Sequence, residues 1–400
     1  MTQVLTISAE QRQAIAQMVV APDGADFVLG RPDLNRYVCV PAAGAEFVRQ
    51  LQAEGSLAQA TARAGEVAGE PVDGAEFWAG LAEAGLLDAP SKTSSSGYRI
   101  SPRLARRFFG RAGWSVYLTF AALAISILAA RPDLRPTFES AWFLADPILS
   151  LLLILPVGLA LSGVHEWWHW LAGRAEGITG SFRVSFRGPY LVFETDLTQI
   201  VALPRRRRYG PFLAGMAMDS SLLGLALLAR LAFRLGWITL PAVTDRLLGA
   251  IVLILVLAIV WQWAGLFLRN DGYAVLANFL RCHNLYRATF LTNKWRLRHL
   301  TEAEQAELAA ISERDRSTAL WFGVVQLIGM GLVAWMMLNF ALPLVIGTAA
   351  WVFANLRSPD LTAGVFWKSV LALLYLAAVY FGPLLLAVRQ RLRTRIGVPS

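Results

Sequence analysis

Cysteine is almost missing from this chain. Two occur in 400 residues, Cys39 and Cys282, in unrelated contexts. Neither a disulfide framework nor a thiolate metal site can be assembled from them. Also absent is an N-terminal basic stretch running into an apolar segment, so no cleaved signal peptide is expected and residues 1 to about 90 are placed in the cytoplasm. No internal repeat or matched pair of broken apolar segments is visible, which argues against a transporter.

Hydrophobic residues, by contrast, make up 56% of the chain, with 14 Trp. That composition predicts a polytopic α-helical membrane protein with a soluble part. The formal net charge of +9 invites a nucleic-acid reading. The arginines, however, gather beside apolar runs, at 103–111, 205–208 and 389–395. This is the positive-inside pattern, and it accounts for the charge with no nucleic acid partner. Six spans of about twenty residues, the length that crosses about 30 Å of hydrocarbon, are expected near 113–130, 148–172, 211–234, 247–268, 318–338 and 363–387. The apolar stretch 341–355 is shorter and is expected to be interfacial or re-entrant. With the basic clusters inside, both termini and the loops 173–210 and 269–317 are cytoplasmic, in a bacterial-type cytoplasmic (inner) membrane. The loops 131–147 and 235–246 face outward.

Within the apolar run from Pro147 to Leu171 stands His165-Glu166-Trp167-Trp168-His169. Two histidines four apart share one face of a helix. Two neutral imidazoles one turn apart can bind a single zinc ion, leaving room for a third ligand and a water. Glu166 lies beside them as general base for that water. A chance match is the rival reading, but ionisable groups inside an apolar span are expensive and usually functional. Asp271, in Asn270-Asp271-Gly272 at the end of the fourth span, is expected at the same depth and completes a two-histidine, one-carboxylate site of the catalytic type. Gly272 is expected to let the backbone turn tightly there. Asp196 and Asp219 compete for the third place. His283 and His299, in the basic loop, are expected to be solvated or lipid-facing and not ligands. Between the second and third spans, Ile178 to Phe193 alternates around Gly180, Gly188 and Pro189, predicting a β-hairpin whose edge could hold a peptide extended beside the metal. An ordinary amphipathic loop is the alternative.

Residues 1–88 read as a small α+β domain. Phe27 to Leu29 and Tyr37 to Val40 are β-prone runs separated by turn residues. Helices follow over about 44–53, 56–66 and from Asp73, a plausible N-cap, with Phe47, Val48, Leu51, Phe77, Trp78, Leu81 and Leu86 facing inward. Two strands and three helices predict a winged-helix-like unit. Residues 89–112 form a Ser-rich linker and an Arg-rich interfacial segment, and 113–400 the membrane domain. The run from Arg36 to Leu51, with the Gly-Leu-Leu end at Leu87, resembles the recognition domains of ribosomal-peptide (RiPP) maturation enzymes, which capture a leader peptide as an added strand. A regulatory or stabilising role is the alternative for this domain.

The arrangement of HEWWH in one span, Gly215-Met216-Ala217-Met218-Asp219 in the next, and Asn270-Asp271-Gly272-Tyr273 closing the third resembles the site-2 protease family of intramembrane zinc metalloproteases. The resemblance covers 148–285 and looks closest to its peptide zinc metalloprotease branch. It implies a three-span core, one zinc on His165, His169 and Asp271, and Glu166 as base. It also implies substrate or oxyanion contacts near Gly215, Asp219 and Asn270. The family's Gly-Pro-x-x-Asn is here Gly215-Met216-x-x-Asp219, and a carboxylate there must be protonated or paired to aid a developing negative charge. The loop after the third span is too short for an extracytoplasmic PDZ domain. The expected function is therefore peptide-bond hydrolysis in a precursor peptide, as leader removal in ribosomal-peptide maturation. Regulated intramembrane proteolysis of a single-pass signalling or anti-sigma protein, and a non-catalytic membrane adaptor with a structural zinc core, are the alternatives.

Overall fold

The computed structural model describes residues 7–89, 100–178, 180, 182–187, 190–357, 361–362, 364–375 and 377. By contacts the chain divides into two compact units, one of 1–110, 169–182 and 195–211, the other of 111–168, 183–194 and 212–400.

The first unit is built on a three-stranded antiparallel sheet in the order β1 (Val19–Asp23), β2 (Asp26–Arg31), β3 (Arg36–Val40), preceded by α1 (Ala9–Ala16). It is followed by α2 (Ala42–Gln52), α3 (Leu57–Ala68) and α4 (Gly74–Glu83). The three expected helices and both expected strands are present, with Asp73 capping α4 through Ala75 N and Glu76 N. The sheet has one strand more than expected. Pro22 makes the run Val19–Asp23 read poorly as a strand, yet an outer strand tolerates proline because the lost donor can face away from the ladder. Asp23 pairs with Asp26 across the two-residue turn Gly24-Ala25. Gly24 has φ +77° and Ala25 does not share it, the pattern of a type II′ hairpin. Ile15, Leu29, Phe47, Val48, Leu81 and Leu86 form the core, each 3% exposed or less. Phe47 and Phe77 meet edge-on at 5.0 Å. The opposite side of the sheet is packed by a 3₁₀ segment, Thr198–Ala202, which touches all three strands. α5 (Pro102–Phe109), capped by Ser101, alternates Arg103, Arg106 and Arg107 with exposed Leu104 and Phe108, as an interfacial helix does.

Most of the remaining chain is helical: α6 (Arg111–Ala130), α7 (Pro147–Ala175), α8 (Arg205–Arg234), α9 (Ala242–Ala264), α10 (Asp271–Leu280), α11 (Leu285–Leu297), α12 (Glu302–Ala310), α13 (Glu313–Met336) and α14 (Leu342–Arg357). Five of these, α6 to α9 and α13, are long and apolar enough to cross a membrane, and they coincide with the first five expected spans. Of the sixth, the described part is a shorter apolar helix, Gly364–Tyr375; the rest lies outside the described residues. The stretch expected at the interface is α14, which continues α13 through a π-helical turn, Met337–Ala341. This is the architecture of a helical membrane protein. Large apolar side chains point outward, Leu118 at 67%, Ile125 at 70% and Ile328 at 68% exposure, as a lipid-facing surface requires. Within the second unit, Ala124 and Ile127 of α6, Leu223 and Leu227 of α8, and Val252 and Leu255 of α9 form one cluster. Leu285, Leu291, Ala319 and Phe322 join α11 to α13 in another. The expected hairpin is a two-stranded sheet of β4 (Phe182–Arg187) and β5 (Tyr190–Thr195).

Candidate metal centre

His165 and His169 lie one turn apart on α7, 8% and 4% exposed. Imidazole buried in an apolar helix needs partners for both ring nitrogens, and each ring finds one at Nδ1. His169 Nδ1 is 2.6 Å from the carbonyl oxygen of Pro211. A carbonyl can only accept, so Nδ1 carries the proton and Nε2 keeps its lone pair. His165 Nδ1 is 2.7 Å from Asp219 Oδ2, while its Nε2 faces a second carboxylate, that of Asp271, so this ring is bonded at both nitrogens. His169 thus presents Nε2 as a ligand, and His165 would do so once a metal took the place of the Nε2 proton; both rings are oriented from Nδ1 by the carboxylate–histidine and carbonyl–histidine pairings common around metal-binding histidines.

Asp271 Oδ2 stands 3.0 Å from His165 Nε2. One ligand atom from each of His165, His169 and Asp271 falls within 4.8 Å of the others. These three residues could therefore hold a metal ion. Two imidazoles and one carboxylate leave the fourth position for water or substrate, unlike closed structural sites.

The carboxylate of Asp271 is held by a device that no motif announces. α9 ends at Ala264, a 3₁₀ turn follows, and Arg269 takes φ +57° to reverse the chain. The tight turn is thus made by Arg269, and the expectation that Gly272 makes it is corrected. A Cβ at position 272 would instead lie 2.1 Å from the carbonyl oxygen of Gln262, so glycine is needed for the close approach of α10 to α9. Gln262 Nε2 donates to Asp271 Oδ2 at 3.0 Å, while Gln262 Oε1 accepts from Asp271 N at 3.1 Å. Asn270 caps α10 by accepting from Tyr273 N, and its amide donates to the carbonyls of Trp261 and Gln262. Both ends of the Asn270 side chain, expected at the substrate, are thereby engaged in orienting Asp271. Tyr273 follows, its phenol pushed up to about 12 by burial and so neutral in the working range.

No family model matches the chain, and neither a curated protein nor a solved structure matches it. Asp219, expected near substrate or as a rival ligand, is 3% exposed and bonded to His165 Nδ1, the place of a supporting carboxylate. Gly215 lies one turn before it on α8, also buried. Asp196 belongs elsewhere: it accepts from Asn35 Nδ2 at 2.7 Å and from Thr198. His283 and His299 are exposed, as expected. Glu166, between the two histidines in sequence, is half-buried. Gly163 is one turn from Glu166 on the same face of α7, and the ring of Phe193 in β5 would stand 3.4 Å from a Cβ there. The hairpin therefore packs along the Glu166 side of α7.

Of the residues singled out in the sequence, the structure brings His165, His169 and Asp271 together; Gln262 and the carbonyl of Pro211 were not among them. A glutamine inside the apolar run of α9 was a readable signal. A backbone carbonyl leaves none.

Proposed function

We propose that this chain is an intramembrane zinc endopeptidase, similar in its core to site-2 proteases. The observation that carries the reading is the convergence of two imidazoles, each held from behind at Nδ1, with a clamped carboxylate. Zinc held by His165, His169 and Asp271 would polarise a peptide carbonyl and acidify a water. Glu166 takes the proton of the attacking water and returns it to the leaving amine. Asp219 keeps its role behind His165, and its charge balances the imidazole as electron density is drawn toward the ligand side. A peptide in extended form, as hydrolysis requires, lies along the hairpin of β4 and β5 that flanks Glu166. Both termini are cytoplasmic in this reading, and the N-terminal domain is a winged-helix-like unit that takes up the leader of a short precursor as an added strand. Tethering then raises the local concentration of the cleavage site. The role favoured is leader removal in ribosomal-peptide maturation.

The test is a substrate trap. Tagged Glu166→Gln protein is expected to keep its zinc, lose cleavage by about 10²- to 10⁴-fold, and retain a short soluble precursor identifiable by mass spectrometry. Deleting residues 1–88 is expected to release that peptide. Capture of a single-pass membrane segment without the domain would favour regulated intramembrane proteolysis. Unchanged function in Glu166→Gln would leave a structural zinc core and no protease.

A further inference from the structure

We propose that the N-terminal domain is a positioning element for the metal ligand His169, acting through Asp23, Arg208 and the carbonyl of Pro211. This rests on the reading of His165, His169 and Asp271 as a metal site, and it gives the domain a role independent of peptide capture. All the residues involved fall within the first compact unit.

Asp23 ends β1 at the tip of the II′ hairpin, with its side chain fully buried. Its Oδ1 accepts from Arg205 Nε at 2.7 Å and its Oδ2 from Arg208 Nη1 at 3.1 Å. Both arginines occupy the first turn of α8. Arg208, 6% exposed, also donates to the carbonyls of Leu203 at 2.8 Å and Val201 at 2.7 Å, binding the approach to the helix. The arginine cluster is thus more than a topological flank: two of its members meet a carboxylate 182 and 185 positions away.

The location of this clasp matters because of Pro211. Proline has no N–H, so the helical bond from residue 211 to the carbonyl of Arg207 is missing, and the first turn of α8 is tied to the rest of the helix less firmly than an ordinary turn. Side chains must then set its position, and the Asp23 clasp does so from outside the helix. One turn further on, the Pro211 carbonyl accepts the 2.6 Å hydrogen bond that selects the tautomer and aim of His169. A hydrogen bond of that length is lost by a displacement of about 1 Å. Freed of it, the ring can rotate or change tautomer and withdraw Nε2 from the metal. A buried carboxylate shared by two guanidiniums does not persist when it is neutralised, because the cations then seek water. Undocking the hairpin tip should therefore loosen the turn, then the carbonyl, then the ligand. By linkage, metal binding should in turn tighten the clasp.

The experiment uses full-length protein in detergent, with zinc affinity measured by chelator competition and the ligand field read from the absorption bands of bound cobalt(II). Two variants break the clasp from opposite sides, Asp23→Asn in the sheet and Arg208→Gln in the helix. Each is expected to weaken zinc binding by about tenfold or more and to shift the cobalt bands, while hydrogen exchange in β2 and α2 stays as in the parent. Asp23→Glu, which keeps the charge, should restore most of the affinity. Unchanged affinity and bands in both variants overturn the proposal and leave the metal reading intact. So does an effect of Asp23→Asn that Arg208→Gln fails to reproduce. If the parent protein takes up neither zinc nor cobalt, the metal reading itself falls and this proposal goes with it.

Discussion

The N-terminal domain and the apolar helices differ in what they expose. In the domain, Leu29, Phe47 and Leu86 are inside, and polar side chains are mostly out. In the helices, Leu118, Ile125 and Ile328 are outside, while His165, His169 and Asp219 are in. The two surroundings make the same observation mean different things. A buried charge in the domain, such as Arg31, is fully used in holding chain to chain: it donates to Asp33 and to the carbonyls of Leu86 and Asp88, closing the end of the domain onto β2. A buried charge among the apolar helices can serve the same use, as where Arg230 of α8 donates to Asp245 of α9 at 3.0 Å, but it is expensive there and usually functional. Where several converge, as at His165, the group could hold a metal ion.

That inversion can be broken most sharply at the outer surfaces. Leu118→Arg, in the middle of α6, is expected to cost about 2.5–3.5 kcal/mol in a membrane-insertion assay. Val67→Arg, on the exposed face of α3 at 43% exposure, should change stability by no more than about 0.5 kcal/mol. Equal tolerance of the two would mean that the outside of α6 does not face lipid. The next largest effect is expected at Asp219. Asp219→Leu removes the partner of His165 Nδ1 and should weaken zinc binding by about 10- to 100-fold, measured by chelator competition. Asp219→Asn can still accept from Nδ1–H and should retain most of the affinity. If both variants fail alike, the negative charge and not the orientation is what matters. Gln262→Leu frees the Asp271 carboxylate from one donor and is expected to cost about tenfold in the same assay. An unchanged value would show that Asn270 and the close packing at Gly272 suffice.

What the sequence disclosed follows from how local each feature is. His165 and His169 were legible because a helix converts a spacing of four directly into a shared face. Spans were legible because thickness sets their length. Asp271 was legible through depth, a weaker but still one-dimensional argument. Features that depend on which elements meet were not. Asp219 could be noticed as costly inside α8, yet its partner is 54 positions away and its role changes with that partner. Asp23 and Arg208 look like a turn residue and a membrane flank until the fold joins them. β1 escaped because Pro22 carries a local signal against strand that an outer position in the sheet overrides.

The smallest effect belongs to a charge pair that belongs to neither extreme. Lys294 of α11 bonds Glu304 of α12 on a water-accessible surface. That bond, helped by the capping contact with Thr301, pulls the Glu304 carboxyl down from 4.5 to about 2. A group whose pKa is depressed on folding stabilises above its unfolded value and loses that contribution as pH falls toward the folded one. The contribution of Glu304 should therefore be complete above about pH 4.5 and fade between there and about pH 2. Lys294→Ala should move the Glu304 titration upward, seen by carboxyl NMR, and bring the acid-side loss of α12 protection in hydrogen exchange to higher pH. Because the pair is only part-buried, salt should shift the titration in the same direction as the variant. The metal affinity should be indifferent to either change, since no bond described around His165, His169 or Asp271 includes these two residues. A fall in zinc binding on Lys294→Ala would mean that α11 and α12 bear on the site, and that a surface charge outside both networks carries function after all.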